Sequence, residues 1–142
     1  MSLDKTSAPG RTGSDELVPS RYALRVGEIE VLVISDGTFP LQAQTLATNA
    51  KPAELAAWLD DRFQPHDSYQ WPLNVVVVRS GGRTVLIDSG VGSEFPDFPQ
   101  VGRLATRLDP AGVDPASITD VVLTHLHVDH VGGLLADALR AR

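Results

Sequence analysis

At 142 residues, with 42% apolar and 21% charged side chains, the chain has the size and balance of one ordinary globular domain, with no room for a second. Twelve basic against eighteen acidic residues leave a formal charge of −6 and no basic run, which argues against nucleic acid as the main partner. There is no cysteine, so disulfides, thiol catalysis and cysteine-held zinc are excluded.

Residues 1–20 are polar and rich in Ser, Thr, Gly and Pro, without the apolar centre of a secretory signal, and read as a disordered leader. No later segment approaches the ~18 apolar residues of a membrane helix, so no membrane association is expected and the cytoplasm is the default location. Tyr22–Val26 and Ile29–Ile34, separated by Gly27-Glu28, predict a β-hairpin. Ser35-Asp36-Gly37-Thr38 carries turn chemistry and is expected to close it, with Asp36 serving the turn rather than a site. Pro52–Leu59 predicts a helix with proline in its first turn, presenting Leu55, Trp58 and Leu59 to the core.

Residues 64–73 read as a loop bearing His66, Tyr69 and Trp71, whose aromatics either line a pocket or pack on the neighbouring hairpin; His66 is assigned no role. The β-branched run Val75–Val78 predicts a strand buried on both faces. Ser80-Gly81-Gly82-Arg83 turns the chain, and Thr84–Asp88 returns antiparallel. Residues 91–101 form an irregular loop with Phe95 and Phe98, and Val101–Leu108 has the spacing of a short helix. Ile118–Thr124 is the next strand, and Leu134, Leu135, Ala138 and Leu139 mark a final amphipathic helix.

Between those last two elements lies His125-Leu126-His127-Val128-Asp129-His130, followed by Val131-Gly132-Gly133. Imidazole and carboxylate are ligands that a zinc-like ion prefers. In an extended segment His125, His127 and Asp129 share a face, and a turn at His130 would let the loop serve two ions, His125 with His127 and Asp129 with His130. Two ions about 3.5–4 Å apart hold a water as hydroxide at neutral pH, which is a hydrolytic device.

His125-x-His127-x-Asp129-His130 resembles the signature of the metallo-β-lactamase-fold hydrolases. Thr84–Gly90 is similar to that family's strand ending in an Asp-Thr-Gly-like turn, here with Ser89 in the middle, and Asn74–Gly82 to the hairpin before it. The texture is nearest to acyl-homoserine lactonases and organophosphate hydrolases. The resemblance implies an α/β (α+β) fold of mostly antiparallel, mixed sheet with covering helices, of which residues 21–142 would be the N-terminal half of an αβ/βα sandwich. It implies two zinc ions, with iron or manganese as alternatives, and a small-molecule substrate: a lactone, ester, thioester, amide or phosphotriester. Asp129 would also act in catalysis, its second oxygen orienting the hydroxide, and Asp88 would support a ligating histidine, or else cap the Ser89-Gly90 turn. The family pattern needs further ligands after His130, and no histidine follows it. A completing C-terminal half or a homo-oligomer is therefore expected, and the chain by itself is expected to be incomplete for catalysis. The competing readings are a mononuclear-iron persulfide dioxygenase and a non-catalytic half-domain that needs a partner chain.

Overall fold

Gly27, at φ +61°, makes the two-residue turn that returns β1 (Arg21–Val26) on β2 (Ile29–Leu41), pairing Val26 with Ile29. The computed structural model describes residues 20–66, 68–135 and 139. The expected leader, Ser20 apart, and much of the expected C-terminal helix lie outside them. After β2 come α1 (Ala43–Leu46) and α2 (Pro52–Asp60), then the second hairpin, β3 (Tyr69–Ser80) and β4 (Arg83–Ile87). α3 (Leu104–Arg107), a 3₁₀ turn at Pro115–Ser117, β5 (Asp120–Val122), α4 (Val128–Val131) and a second 3₁₀ turn at Gly132–Leu135 follow.

The strands form one sheet in the order β1-β2-β3-β4-β5, antiparallel except for β4 with β5. A parallel neighbour needs a crossover, and residues 88–119, carrying α3, provide it. That crossover closes the core. Leu32, Ile34, Val75, Val77 and Leu86 on one sheet face pack against Leu104, Leu108 and Val113, with Leu139 beside them. β3 is thus not buried on both faces as expected: Val75 and Val77 are buried while Val76 and Val78 are half-buried. The opposite face carries the register row Val33, Val76, Ile87 and Val122, which ends at a Val122 that is 49% exposed.

Two expected loops are strand. Ser35–Thr38 is no turn, because β2 continues to Leu41 and absorbs the extra residue as a bulge between Ser35 and Gly37. Tyr69–Leu73 is the first part of β3, paired from Leu41↔Tyr69 to Gly37↔Leu73. Proline survives here because β3 meets β4 only from Val76 onward, so Pro72 sits where the strand has one neighbour and a missing N–H costs no ladder bond. α2 forms where predicted and buries Leu59, but Trp58 is 44% exposed, with the Arg62 guanidinium 4.2 Å over its ring. The short helix expected over Val101–Leu108 is one turn, α3, and Leu135, expected on a buried stripe, is 64% exposed.

Candidate metal centre

Parallel pairing places the C-terminal ends of β4 and β5 side by side, which brings Asp88 against Thr124. Asp88 donates its N–H to the Val122 carbonyl at 2.8 Å, and its carboxylate accepts from the Thr124 N–H at 2.8 Å. Asp88 has φ +62°, a left-handed conformation that a side chain other than glycine adopts at a cost of about 1–2 kcal/mol. That twist aims its carboxylate at the histidine loop rather than back over its own turn. Thr124 Oγ1 lies 2.9 and 3.0 Å from the two carboxylate oxygens, and His130 Nδ1 lies 2.7 Å from Oδ2. Burial pushes the Asp88 carboxyl up, but the bonds from Thr124 and His130 together outweigh it and hold it below the usual carboxylate range.

These contacts fix tautomers. A carboxylate only accepts, so His130 donates from Nδ1 and keeps its lone pair on Nε2. Thr124 gives its single hydroxyl proton to Asp88, so its oxygen is left to accept from His125 Nδ1, 3.1 Å away, and the His125 lone pair is likewise on Nε2. His125 Nε2 faces His127 Nδ1 at 3.2 Å, and His130 Nε2 faces Asp129 Oδ2 at 3.2 Å. The His125 and His130 rings are 3.8 Å apart between centroids.

The loop is held from beneath. His127 precedes α4 and accepts the His130 and Val131 N–H groups on its carbonyl, and His130 in turn receives Ser89 N–H at 2.8 Å and Ser89 Oγ at 2.9 Å on its own. Gly133 donates to the Gly90 carbonyl at 2.9 Å, and a Cβ on Gly133 would fall on the Ser89 carbonyl, so the absence of a side chain there permits this approach. Asp36, fully buried at the β2 bulge, fastens the far side of the same turn. Its carboxylate accepts from Val91 N–H at 2.8 Å and Leu104 N–H at 2.7 Å. Burial raises its pKa by more than these donors and Arg107 lower it. A Cβ on Gly90, itself at φ +71°, would come within 2.6 Å of Asp36 Oδ2.

The donor set suits a divalent cation. Two ligands bound at 2.0–2.1 Å to one tetrahedral ion lie roughly 3.3 Å apart, and both motif pairs have that spacing. Each is a pair only: among the described residues no group of three or more His, Asp or Glu converges on one point. The motif opens on a cleft of about 480 Å³ whose opposite wall is Phe39, Leu41, Trp71, Leu73, Val91 and Phe95. Phe39 meets Phe95 edge-on at 5.2 Å and Phe98 at 4.7 Å. Trp71 comes from the segment expected either to line a pocket or to pack on the hairpin, and Phe95 from the loop expected at 91–101, whereas Phe39 and Leu41 lie beyond the turn wrongly expected at Ser35–Thr38. Thr124 was also missed. His66 stands apart from the cleft, its Nε2 2.6 Å from Asp60 Oδ1.

Residues 69–136 match the model of the metallo-beta-lactamase superfamily. An N-acyl homoserine lactonase, AiiB, of Agrobacterium fabrum is 29% identical over 127 residues, covering 78% of this chain and 41% of its own length. The acyl-coenzyme A thioesterase MBLAC2 of Gallus gallus is 35% identical over 78 residues, 54% of this chain and 26% of its own. The solved structure of AidC, a dizinc quorum-quenching lactonase in complex with the product N-hexnoyl-L-homoserine, superposes with a TM-score of 0.73 at 30% identity over 81% of this chain and 39% of that one. The chain spans less than half the length of each of these relatives.

Proposed function

We propose that this chain, which belongs to the metallo-beta-lactamase superfamily through residues 69–136, contributes the His-x-His-x-Asp-His part of a two-metal site in a hydrolase of acylated lactones or thioesters. The observation that carries the reading is the pair of 3.2 Å donor contacts, His125–His127 and Asp129–His130, facing an aromatic cleft. His125 Nε2 and His127 Nδ1 would hold one ion, and Asp129 Oδ2 with His130 Nε2 the other. Zinc is the first candidate for this N/O donor set, with iron or manganese as alternatives. Bound there, such ions supply Lewis acidity and activate water as a nucleophile at neutral pH.

The chain's own groups do the positioning. Asp88 keeps the His130 proton on Nδ1, and Thr124 does the same for His125, so both Nε2 lone pairs face the cleft. Asp129, with Oδ2 engaged, offers Oδ1 to accept a hydrogen bond from the attacking water and set its direction. The apolar wall excludes bulk water and receives the uncharged body of a substrate, a chemistry supported by the acyl groups in the names of both curated relatives. Two donors per ion leave coordination positions open. We assign these to a completing segment or a second polypeptide, whose addition would close the site. No helix among the described residues is long and apolar enough to cross a membrane.

Elemental analysis joined to hydrolysis assays tests the reading. With the completing half supplied, the purified protein should carry about two divalent ions per site and open an acyl-homoserine lactone or cleave an acyl thioester. Chelation should abolish the activity and metal restore it, and His127→Ala should lose both metal and turnover. A protein that takes up no stoichiometric metal, even with a completing half supplied, would sink the proposal and leave a non-catalytic domain.

A further inference from the structure

The metal cleft is not the only apolar hollow on its side of the sheet. A groove of about 440 Å³ lies between α1, α2 and the start of β3, walled by Leu46, Ala47, Ala50, Leu55, Trp58 and Tyr69, with Glu54 the one charged residue on its lining. The strand register ties the two together. Tyr69, Trp71 and Leu73 alternate along β3 and so share a face, and their partners across the ladder are Leu41, Phe39 and Gly37. Phe39, Leu41, Trp71 and Leu73 line the cleft, Tyr69 lines the groove, and Ala43, two residues past Leu41, lines the groove as well. Leu73 to Tyr69 is about 13 Å of strand. An unbroken apolar track therefore leads from the motif, along the β2–β3 ribbon, to the space under Trp58.

We infer that this groove is the seat of the substrate's aliphatic tail, so that the enzyme prefers medium-chain to long-chain acyl groups over short ones. The inference rests on the hydrolase reading for the head of the substrate and adds where the tail goes. A linear hydrocarbon fits the geometry because the track is long and its lining is apolar apart from Glu54 and the Tyr69 hydroxyl. Each methylene that reaches the groove should tighten binding about fourfold, the gain expected for burying one such group.

The chain has two tryptophans, one in each hollow, which makes a test possible without turnover. In a Trp71→Phe background, Trp58 is the sole reporter, and the protein is titrated with sodium decanoate and with sodium butyrate. Decanoate should move the Trp58 emission saturably, with a Kd at least tenfold below that of butyrate. Ala47→Phe, which fills the groove, and Leu55→Gln, which wets it, should each weaken decanoate binding tenfold or more while far-ultraviolet circular dichroism is unchanged. If decanoate leaves Trp58 silent, or binds equally well in both folded variants, the groove is not the tail site. Hydrolysis decides the other question separately. Decanoate binding without any lactone or thioester cleavage would keep the groove and defeat the hydrolase reading. Cleavage at rates independent of chain length, with Trp58 silent, would keep the hydrolase and defeat the groove.

Discussion

Asp88 is the residue on which the proposed centre turns, because one carboxylate, in a strained left-handed conformation, orders two of the histidines. Asp88→Asn is the clean probe: asparagine tolerates the left-handed region, so the backbone should hold. Its amide can keep the Thr124 N–H or the His130 Nδ1–H as a donor to its oxygen, but not both contacts as they stand. Metal affinity should fall by 10–100-fold, read by titration against a chromophoric chelator, with the unfolding midpoint little changed. Thr124→Val should give a smaller loss of affinity that Thr124→Ser restores, since only the hydroxyl links Asp88 to His125. Wild-type affinity in Asp88→Asn would mean that the histidines orient themselves. The motif itself was legible in the sequence because four ligand-type residues within six positions are chemically rare. Thr124 was not, because a threonine at a strand end is common and its task appears only when Asp88, 36 residues earlier, is folded against it.

At the scale of elements, the β2 bulge decides how the crossover is anchored. Without Asp36, the Val91 and Leu104 N–H groups would be buried with no acceptor, at about 1–3 kcal/mol each. Asp36→Ala should therefore cost about 2–6 kcal/mol in urea unfolding, and Asp36→Asn about half as much, since its one carbonyl oxygen can still serve a single donor. Equal stability of all three proteins would show that the loop holds itself. Sequence reading could not find this feature, for residues such as Ser-Asp-Gly-Thr serve turns and bulges alike; only the pairing of Leu41 with Tyr69 across the ribbon separates them. The hidden continuation of β2 also concealed Phe39 and Leu41, two of the six apolar residues of the cleft's wall. The parallel β4–β5 pair has its own tie, the bidentate Arg83–Asp120 ion pair, whose guanidinium bonds hold the Asp120 carboxyl below its ordinary value. A depressed carboxylate stabilises the fold above its unfolded pKa of about 3.9, and that contribution fades as pH falls through the lowered folded value. The acid limb of the stability curve should thus flatten in Asp120→Asn, and an unchanged limb would show that the exposed pair contributes nothing.

For the whole molecule, the two sheet faces are unequal. One is closed by the crossover around Leu86, Leu104 and Leu108, while the other presents Val33, Val76, Ile87 and Val122 as a continuous row, with Tyr22 at 67% exposure beside it. Alternation is visible in β1, with Tyr22, Leu24 and Val26 on one face, but β2 carries the unbroken apolar run Val31–Ile34 and β3 the run Val75–Val78. A β-branched run says that a strand exists without saying which of its faces is covered, since that depends on partners from elsewhere in the fold. Apolar rows of this extent on a sheet face mark a surface made to be covered. The 142-residue chain studied alone should accordingly bind anilinonaphthalene sulfonate and sediment at low micromolar concentration as species larger than a monomer. Val76→Lys, which places a charge in the middle of the row where Val76 is only half-buried, should shift it toward monomer and dim the dye while leaving the core, built from Val75 and Val77 on the other face, in place. Addition of a completing half should do the same for the unmutated chain if that half is what covers the row. A dye-silent monomer at all concentrations would instead mean that the chain already covers this face, and the case for a completing polypeptide would then rest on the unfilled metal coordination alone.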